Sequence, residues 1–188
     1  MSVVTREGDQ GMTCRFGGEK IRKDNINVRA NGDIDELNSS IGLLTARSDV
    51  KDDILRDLKE IQSSCFVIGA EIATSGNGDI GFLDKVPKVS ESEVDFLEDR
   101  IFKMERLLPV LGNFLLPGGH PKAAMAFWLR SIARRAERSV VSLSFEAQIN
   151  PFVLKYLNRL SDYFYVLGRT FNVQEDSKEE IWRSHSSR

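Results

Sequence analysis

Apolar residues recur along this chain in alternating steps of three and four, the spacing that sets them on one face of a helix. The longest such seam is Ile54, Leu58, Ile61, Cys65, Ile68 and Ile72. The same rhythm runs through Val94, Leu97, Ile101, Met104 and Leu108. It returns in Met125, Leu129, Ile132, Ala136, Val140 and Leu143, and again in Leu157, Leu160, Phe164, Leu167 and Phe171. A shorter run, Ile34, Leu37, Ile41 and Leu44, predicts one more helix. Each seam must be buried against another element. The expected fold is therefore all-α, a bundle of about five helices, mostly antiparallel neighbours joined by modest loops. No stretch alternates apolar and polar residues for long enough to predict a strand.

The helix ends are marked too. Ser90 with Glu93 is a capping box. Asn150-Pro151 reads as an N-cap followed by a first-turn proline, and Pro121 can open another helix. Thr74 to Lys88 and Pro109 to Pro121 are expected to be loops. Residues 1–173 are read as one domain and 174–188 as a polar tail anchored at best by Ile181 and Trp182. Residues 1–32 stand apart, with Gly8, Gly11, Gly17, Gly18 and Gly32 set among polar residues and little periodicity. Such a segment ahead of a tidy bundle is either disordered or folds over a ligand.

Composition narrows the classes. The 188 residues suit a single domain, with 41% hydrophobic residues to fill a core. A formal net charge of −2 argues against a nucleic-acid or anionic-membrane partner. Two cysteines and two histidines give no disulfide framework and no metal-ligand set. No apolar run approaches the roughly 20 residues of a membrane span, and no secretory start is present, so the cytoplasm is expected.

Several groupings could carry chemistry. Thr5-Arg6-Glu7-Gly8-Asp9-Gln10-Gly11-Met12-Thr13, followed by Gly17-Gly18 and Lys23, offers backbone N–H groups, hydroxyls and a point charge to an anion. Glycine content alone favours a flexible terminus over this. Arg130, Arg134, Arg135, Glu137 and Arg138 lie within nine residues. On a helix Arg130, Arg134 and Glu137 form a stripe with Arg138 beside them, which could grip a triphosphate or be a solvated face of little weight. Asn158, Asp162 and Arg169 form a second polar stripe, suited to a nucleotide edge or to water. Asp35-Glu36-Leu37-Asn38 opens the first helix, where the dipole alone explains the acids. Asn113-Phe114-Leu115-Leu116-Pro117-Gly118-Gly119 places bulky apolar groups in a loop, which either packs back on the core or meets an apolar ligand.

In combination and in this order, these segments resemble the PduO-type ATP:cob(I)alamin adenosyltransferase family. The likeness is carried by Thr5-x-x-Gly8-Asp9-x-Gly11-x-Thr13, Lys23-Asp24, Gly32-x-x-Asp35-Glu36-Leu37-Asn38, Phe114-x-x-Pro117-Gly118-Gly119, Arg130-x-x-x-Arg134-Arg135-Ala136-Glu137-Arg138 and Tyr156-Leu157-Asn158-Arg159-Leu160-Ser161-Asp162. The resemblance implies a homotrimer with active sites between subunits and an N-terminal loop closing over ATP. Thr5, Arg6, Glu7, Gly8, Thr13, Cys14 and Lys23 match nucleotide positions, with Arg134, Arg135, Glu137, Arg138 and Asn158 completing them. Arg130 matches an arginine that pairs across subunits with the aspartate at Asp35. Phe114 matches a phenylalanine that excludes the lower axial ligand of cobalt and so eases its reduction. Magnesium accompanies the ATP. The implied reaction moves the 5′-deoxyadenosyl group of ATP to cob(I)alamin, giving adenosylcobalamin and triphosphate. A cobalamin reductase and an adenosylcobalamin-dependent enzyme are the implied partners.

The chain departs from the family pattern at Cys14, Arg15, Asn31 and His120, and in a slightly longer interval from Gly119 to Arg130. The alternative is a non-catalytic helical bundle that binds ATP or cobalamin as a sensor or chaperone. The intact Asp35, Arg130, Arg134 and Asn158 speak against it. A purely structural bundle would explain the seams but not the ordered glycine segment.

Overall fold

The computed structural model describes residue 4, residues 6–75 and residues 85–183. Five helices account for the bundle: α1 (Ile26–Thr45), α2 (Asp52–Thr74), α3 (Glu91–Glu105), α4 (Pro121–Ser144) and α5 (Pro151–Gln174). Every predicted seam lies on one of them except for Leu108, which falls beyond the end of α3. The capping box at Ser90 and Glu93 is formed, and Asn150 and His120 cap α5 and α4 through their side chains.

Two differences concern the N-terminal part. Helix α1 is 20 residues long and starts at Ile26, so the segment ahead of it ends near Asn25 rather than at residue 32. Its first two turns bury only Asn27 and Ala30, which no apolar periodicity would reveal. The start is set by a cap instead, Asn25 accepting the Asn27 N–H at 2.9 Å. Ahead of it, strands β1 (Met12–Cys14) and β2 (Lys20–Arg22) pair antiparallel with Thr13 opposite Ile21. Three residues are too few for alternation to be visible, so the expectation of no strand is corrected here.

Neighbouring helices run antiparallel, as side-chain pairings show. Asn27 reaches the Ile72 carbonyl, while further along α1 the Asn38 carbonyl accepts from Gln62 of α2. On α1 and α4, Asp33 meets Ser139 and Glu36 meets Arg135. On α4 and α5, Glu137 meets Asn158, and the Phe127 ring lies against Tyr165 with centroids 5.9 Å apart. An added Cβ on Gly168 would sit 2.8 Å from the Phe127 ring, so only glycine lets the two helices approach this closely. Helix α3 covers α5. The interior holds Tyr156, Tyr163, Phe164 and Phe171 among Ile and Leu side chains from α1, α2 and α5.

One buried cation ties three elements together. Lys122, 2% exposed, donates to the Asp49 carbonyl at 2.7 Å and to the Glu175 carboxylate at 2.6 Å. Its ammonium also lies 5.3 Å from the Phe171 ring centre. The hydrogen bond from Lys122 holds the Glu175 carboxyl below its usual range. This contribution is complete above the ordinary carboxylate range and is lost as pH falls through the lowered value. Lys122→Met should cost about 2 kcal/mol. The melting temperature should then drop by about 4–8 °C. Calorimetry checks this, and an unchanged transition would show the clamp to be inert.

Candidate functional site

The N-terminal hairpin is shaped by residues that accept positive φ: Gly11 at 74°, Gly17 at 101° and Gly18 at 89°. Gly8 has a different role. A Cβ there would lie 2.8 Å from Lys23 Nζ, so its bare backbone gives the ammonium room. Lys23 is kept near by its own N–H, which donates to the Gly11 carbonyl at 2.9 Å. The hairpin is fastened to the end of α2 by the Arg15 guanidinium, which donates to the Ser75 carbonyl. Nearby, Asn27 donates to the Ile72 carbonyl at 2.7 Å and to Ser75 Oγ at 3.0 Å. A recess of about 240 Å³ between the strands is lined by Glu7, Gly8, Met12, Thr13, Cys14 and Lys20. Arg6 precedes it with a φ of 62°. Thr5 lies outside the described residues.

The arginines of α4 do not act as one group. Arg135 points at α1 and pairs with Asp33 at 3.7 Å and with Glu36. These pairs join α4 to α1. Arg134 and Arg138 are exposed and have no ion pair among the described residues. Beside them Glu137 accepts a hydrogen bond from Asn158 Nδ2 at 3.1 Å. That bond turns Asn158 toward the arginine stripe and fixes the Glu137 carboxylate. Arg130 stacks on Tyr165, its guanidinium carbon 5.6 Å from the ring centre. Asp35 is exposed on α1 and makes no pair with Arg130 within the chain.

The loop between α3 and α4 does not pack its aromatic back on the core. Phe114 is 80% exposed. With Leu111, Asn113, Tyr165, Ile181 and Trp182 it lines an open cavity of about 870 Å³. Tyr165 is shared between this cavity and Arg130, so the apolar and cationic surfaces are continuous. Residues 180–182 are held along this loop. Leu116 N–H donates to the Glu180 carbonyl and Trp182 N–H to the Phe114 carbonyl, both at 2.8 Å. Ile181 and Trp182 are therefore more than anchors, since they form one wall of the cavity.

Sequence reasoning missed Tyr165 and Asn172, and it set Arg169 on a polar stripe of α5 suited to a nucleotide edge or to water. Arg169 is only 7% exposed and is paired with Glu179 at 3.0 Å. Tyr165, Arg169 and Asn172 repeat at four and three residues, a signal that was available but is masked by the apolar seam of the same helix.

The comparisons agree with one another. The family model described as cobalamin adenosyltransferase matches residues 3–171. A cobalamin adenosyltransferase of Cupriavidus metallidurans is 37% identical over 181 residues, covering 96% of this chain and 94% of its own. A corrinoid adenosyltransferase of Bacillus subtilis is 40% identical, covering 93% of this chain and 88% of its own. Among solved structures, a variant PduO-type ATP:corrinoid adenosyltransferase from Lactobacillus reuteri, complexed with cobalamin and ATP, superposes with a TM-score of 0.90. It is 32% identical, and the match covers 97% of this chain and 100% of that one.

The two cysteines should report on this geometry. Burial pushes the Cys65 thiol up to about 12, while Cys14 is exposed beside the hairpin recess. At neutral pH a thiol reagent should label one site per folded chain, and a second only after denaturation. Two equally fast thiols in the folded protein would contradict the burial of Cys65.

Proposed function

The chain belongs to the cobalamin adenosyltransferase family, and from that premise we propose how its residues divide the work. It transfers the 5′-deoxyadenosyl group of ATP to cob(I)alamin, releasing triphosphate. The observation that carries the assignment of roles is the unpaired pair of guanidinium groups, Arg134 and Arg138, flanking the fixed Glu137–Asn158 contact. Two arginines one helical turn apart, both without a carboxylate among the described residues and beside a fixed Glu137–Asn158 contact, suit an anionic ligand.

Cobalt(I) brings the electron pair. The Co–C5′ bond forms as the C5′–O bond breaks, and the triphosphate leaves with that bond's electrons. The protein needs no side-chain nucleophile. Its task is to hold C5′ in line with cobalt and to stabilise the departing charge. Arg6, Glu7, Gly8, Thr13, Cys14 and Lys23 are assigned to the nucleotide from the hairpin side, Lys23 as the point charge beside an open backbone. Arg134, Arg138, Glu137 and Asn158 are assigned to it from the helix side. Arg135 supports the stripe through its pairs with Asp33 and Glu36. Phe114 is assigned to the face of cobalt opposite C5′, where an apolar ring displaces a ligand without offering another.

Magnesium is proposed to arrive on the triphosphate, neutralising charge on the leaving group. Mg²⁺ keeps several waters and uses one or two carboxylates, and Glu137 is placed to meet such a water.

The same geometry supports a site shared between chains, and the homotrimer implied by the family resemblance is the assembly proposed for it. The hairpin sits where α1 starts and α2 ends, whereas the Phe114 loop sits where α4 starts and α5 ends. The 24 residues of α4 put roughly 36 Å between those two ends. A second chain is needed to bring a hairpin to the Phe114 end, with Asp35 of one chain meeting Arg130 of the next. Light scattering should give about three times 21.2 kDa. A reductase supplying cob(I)alamin and an enzyme receiving adenosylcobalamin complete the proposed partners, with the cytoplasm as the proposed location.

Arg134→Ala should lose about 2–4 kcal/mol of transition-state stabilisation, read from kcat/KM, with an unchanged circular dichroism spectrum. Activity kept within about twofold would return Arg134 to the solvated face. Phe114→Ala should barely change the melting temperature, because the side chain is 80% exposed. Adenosylation of cobalamin should nevertheless slow sharply, and a variant with normal turnover would remove Phe114 from the site. ATP should slow labelling of Cys14 in the wild type. Labelling indifferent to saturating ATP would move the nucleotide away from the hairpin.

A further inference from the structure

We propose that Arg169 and Asn172 are positioning residues that, latched by Glu179 of the C-terminal strip, hold the Phe114 loop in its working place. The inference rests on the role given to Phe114 above. Arg169 holds the start of the loop, donating through Nη2 to the Pro109 carbonyl at 2.9 Å. The same guanidinium grips Glu179 through Nε at 3.0 Å and Nη2 at 3.2 Å. Asn172, 2% exposed, holds the other end. Its Nδ2 donates to the Gly118 carbonyl at 3.0 Å, and its Oδ1 accepts the His120 N–H at 2.9 Å. Gly119 turns the chain with a φ of 95°, and a Cβ there would collide with the Asn172 amide. The turn is thus built around that side chain.

Between these ends the C-terminal strip backs the loop through the Leu116 and Trp182 amides. The strip is itself tied to α5 where Ser177 N–H donates to the Asn172 carbonyl at 2.8 Å. An aromatic as exposed as Phe114 is not aimed by packing of its own side chain. Its direction is set by its backbone, and the backbone is set by these bonds. Arg169 and Glu179 form a fork that fixes direction as well as distance, and both are largely out of water. A catalytic group displaced by about 1 Å can cost roughly 100-fold in rate, so a loosened loop should be felt in turnover.

The test uses full-length Glu179→Gln, Glu179→Ala and Asn172→Ala. Amide exchange over residues 109–120 reads the latch without needing turnover. It should quicken roughly tenfold or more in the two alanine variants, less in Glu179→Gln, while α4 core amides keep their protection. In assays with cobalamin, kcat should fall roughly tenfold or more with KM for ATP unchanged. With cobinamide, which carries no lower-ligand base to displace, the fall should stay within about threefold. Unchanged exchange in both alanine variants would overturn the latch. Equal losses with both corrinoids would also overturn it, since the bonds would then serve only the fold. A wild-type protein that forms no adenosylcobalamin strikes instead at the functional reading, and the exchange data still decide whether the latch holds the loop.

Discussion

The close contact of α4 with α5 at Gly168 fixes the register on which the candidate site depends. With no side chain between the Phe127 ring and the α5 backbone, the two helices meet at one depth and one sliding position. Each further pair along the contact is in step with that point. Arg130 falls over Tyr165, Glu137 falls opposite Asn158, and the turn ahead of α4 reaches Asn172. A slide of one residue would break all three, because each depends on a side chain leaving its helix at a particular angle. Close-packed interiors do not deform gradually. The register is therefore either kept, with the site intact, or lost as a whole.

On that frame the electrostatics separate two kinds of arginine that look alike in the chain. Arg135, exposed like Arg134 and Arg138, reaches along the surface to Asp33 and Glu36, joining α4 to α1. Arg134 and Arg138 turn outward with no carboxylate to answer them. One peptide unit rotates the side chain by about 100° around a helix, which is enough to divide adjacent residues between support and binding. Lys122 and Arg169 are a third case, cations buried for architecture at the Phe114 end.

How much of this the sequence displays depends on how each element is stabilised. Helices held by an apolar seam, such as the one from Ile54 to Ile72, are plain in the periodicity. The first turns of α1 are not, because a cap at Asn25 and a buried amide at Asn27 hold them. The hairpin is hidden for a similar reason, as its strands are three residues long and its anchor is one guanidinium reaching from Arg15 to Ser75. The motif residues of the site were all visible as residue types, and the resemblance gave them roles. What could not be seen was their division: Arg135 from Arg134, a buried Arg169 from a wet one, an exposed Phe114 from a core plug. These distinctions arise from long-range contacts, with Glu179, Asp33 and the C-terminal strip, that no local spacing encodes.

The central proposal is that one chain carries only half of a working site at each end. It is tested most directly by mixing two inactive variants, Lys23→Ala and Phe114→Ala, after dissociating and reassociating the chains. If hairpin and Phe114 loop come from different chains, some mixed assemblies contain an interface with both halves intact, and adenosylcobalamin formation should return to a measurable fraction of wild type. If both halves belong to one chain, every site in the mixture carries a defect, and activity should stay at the level of the separate variants.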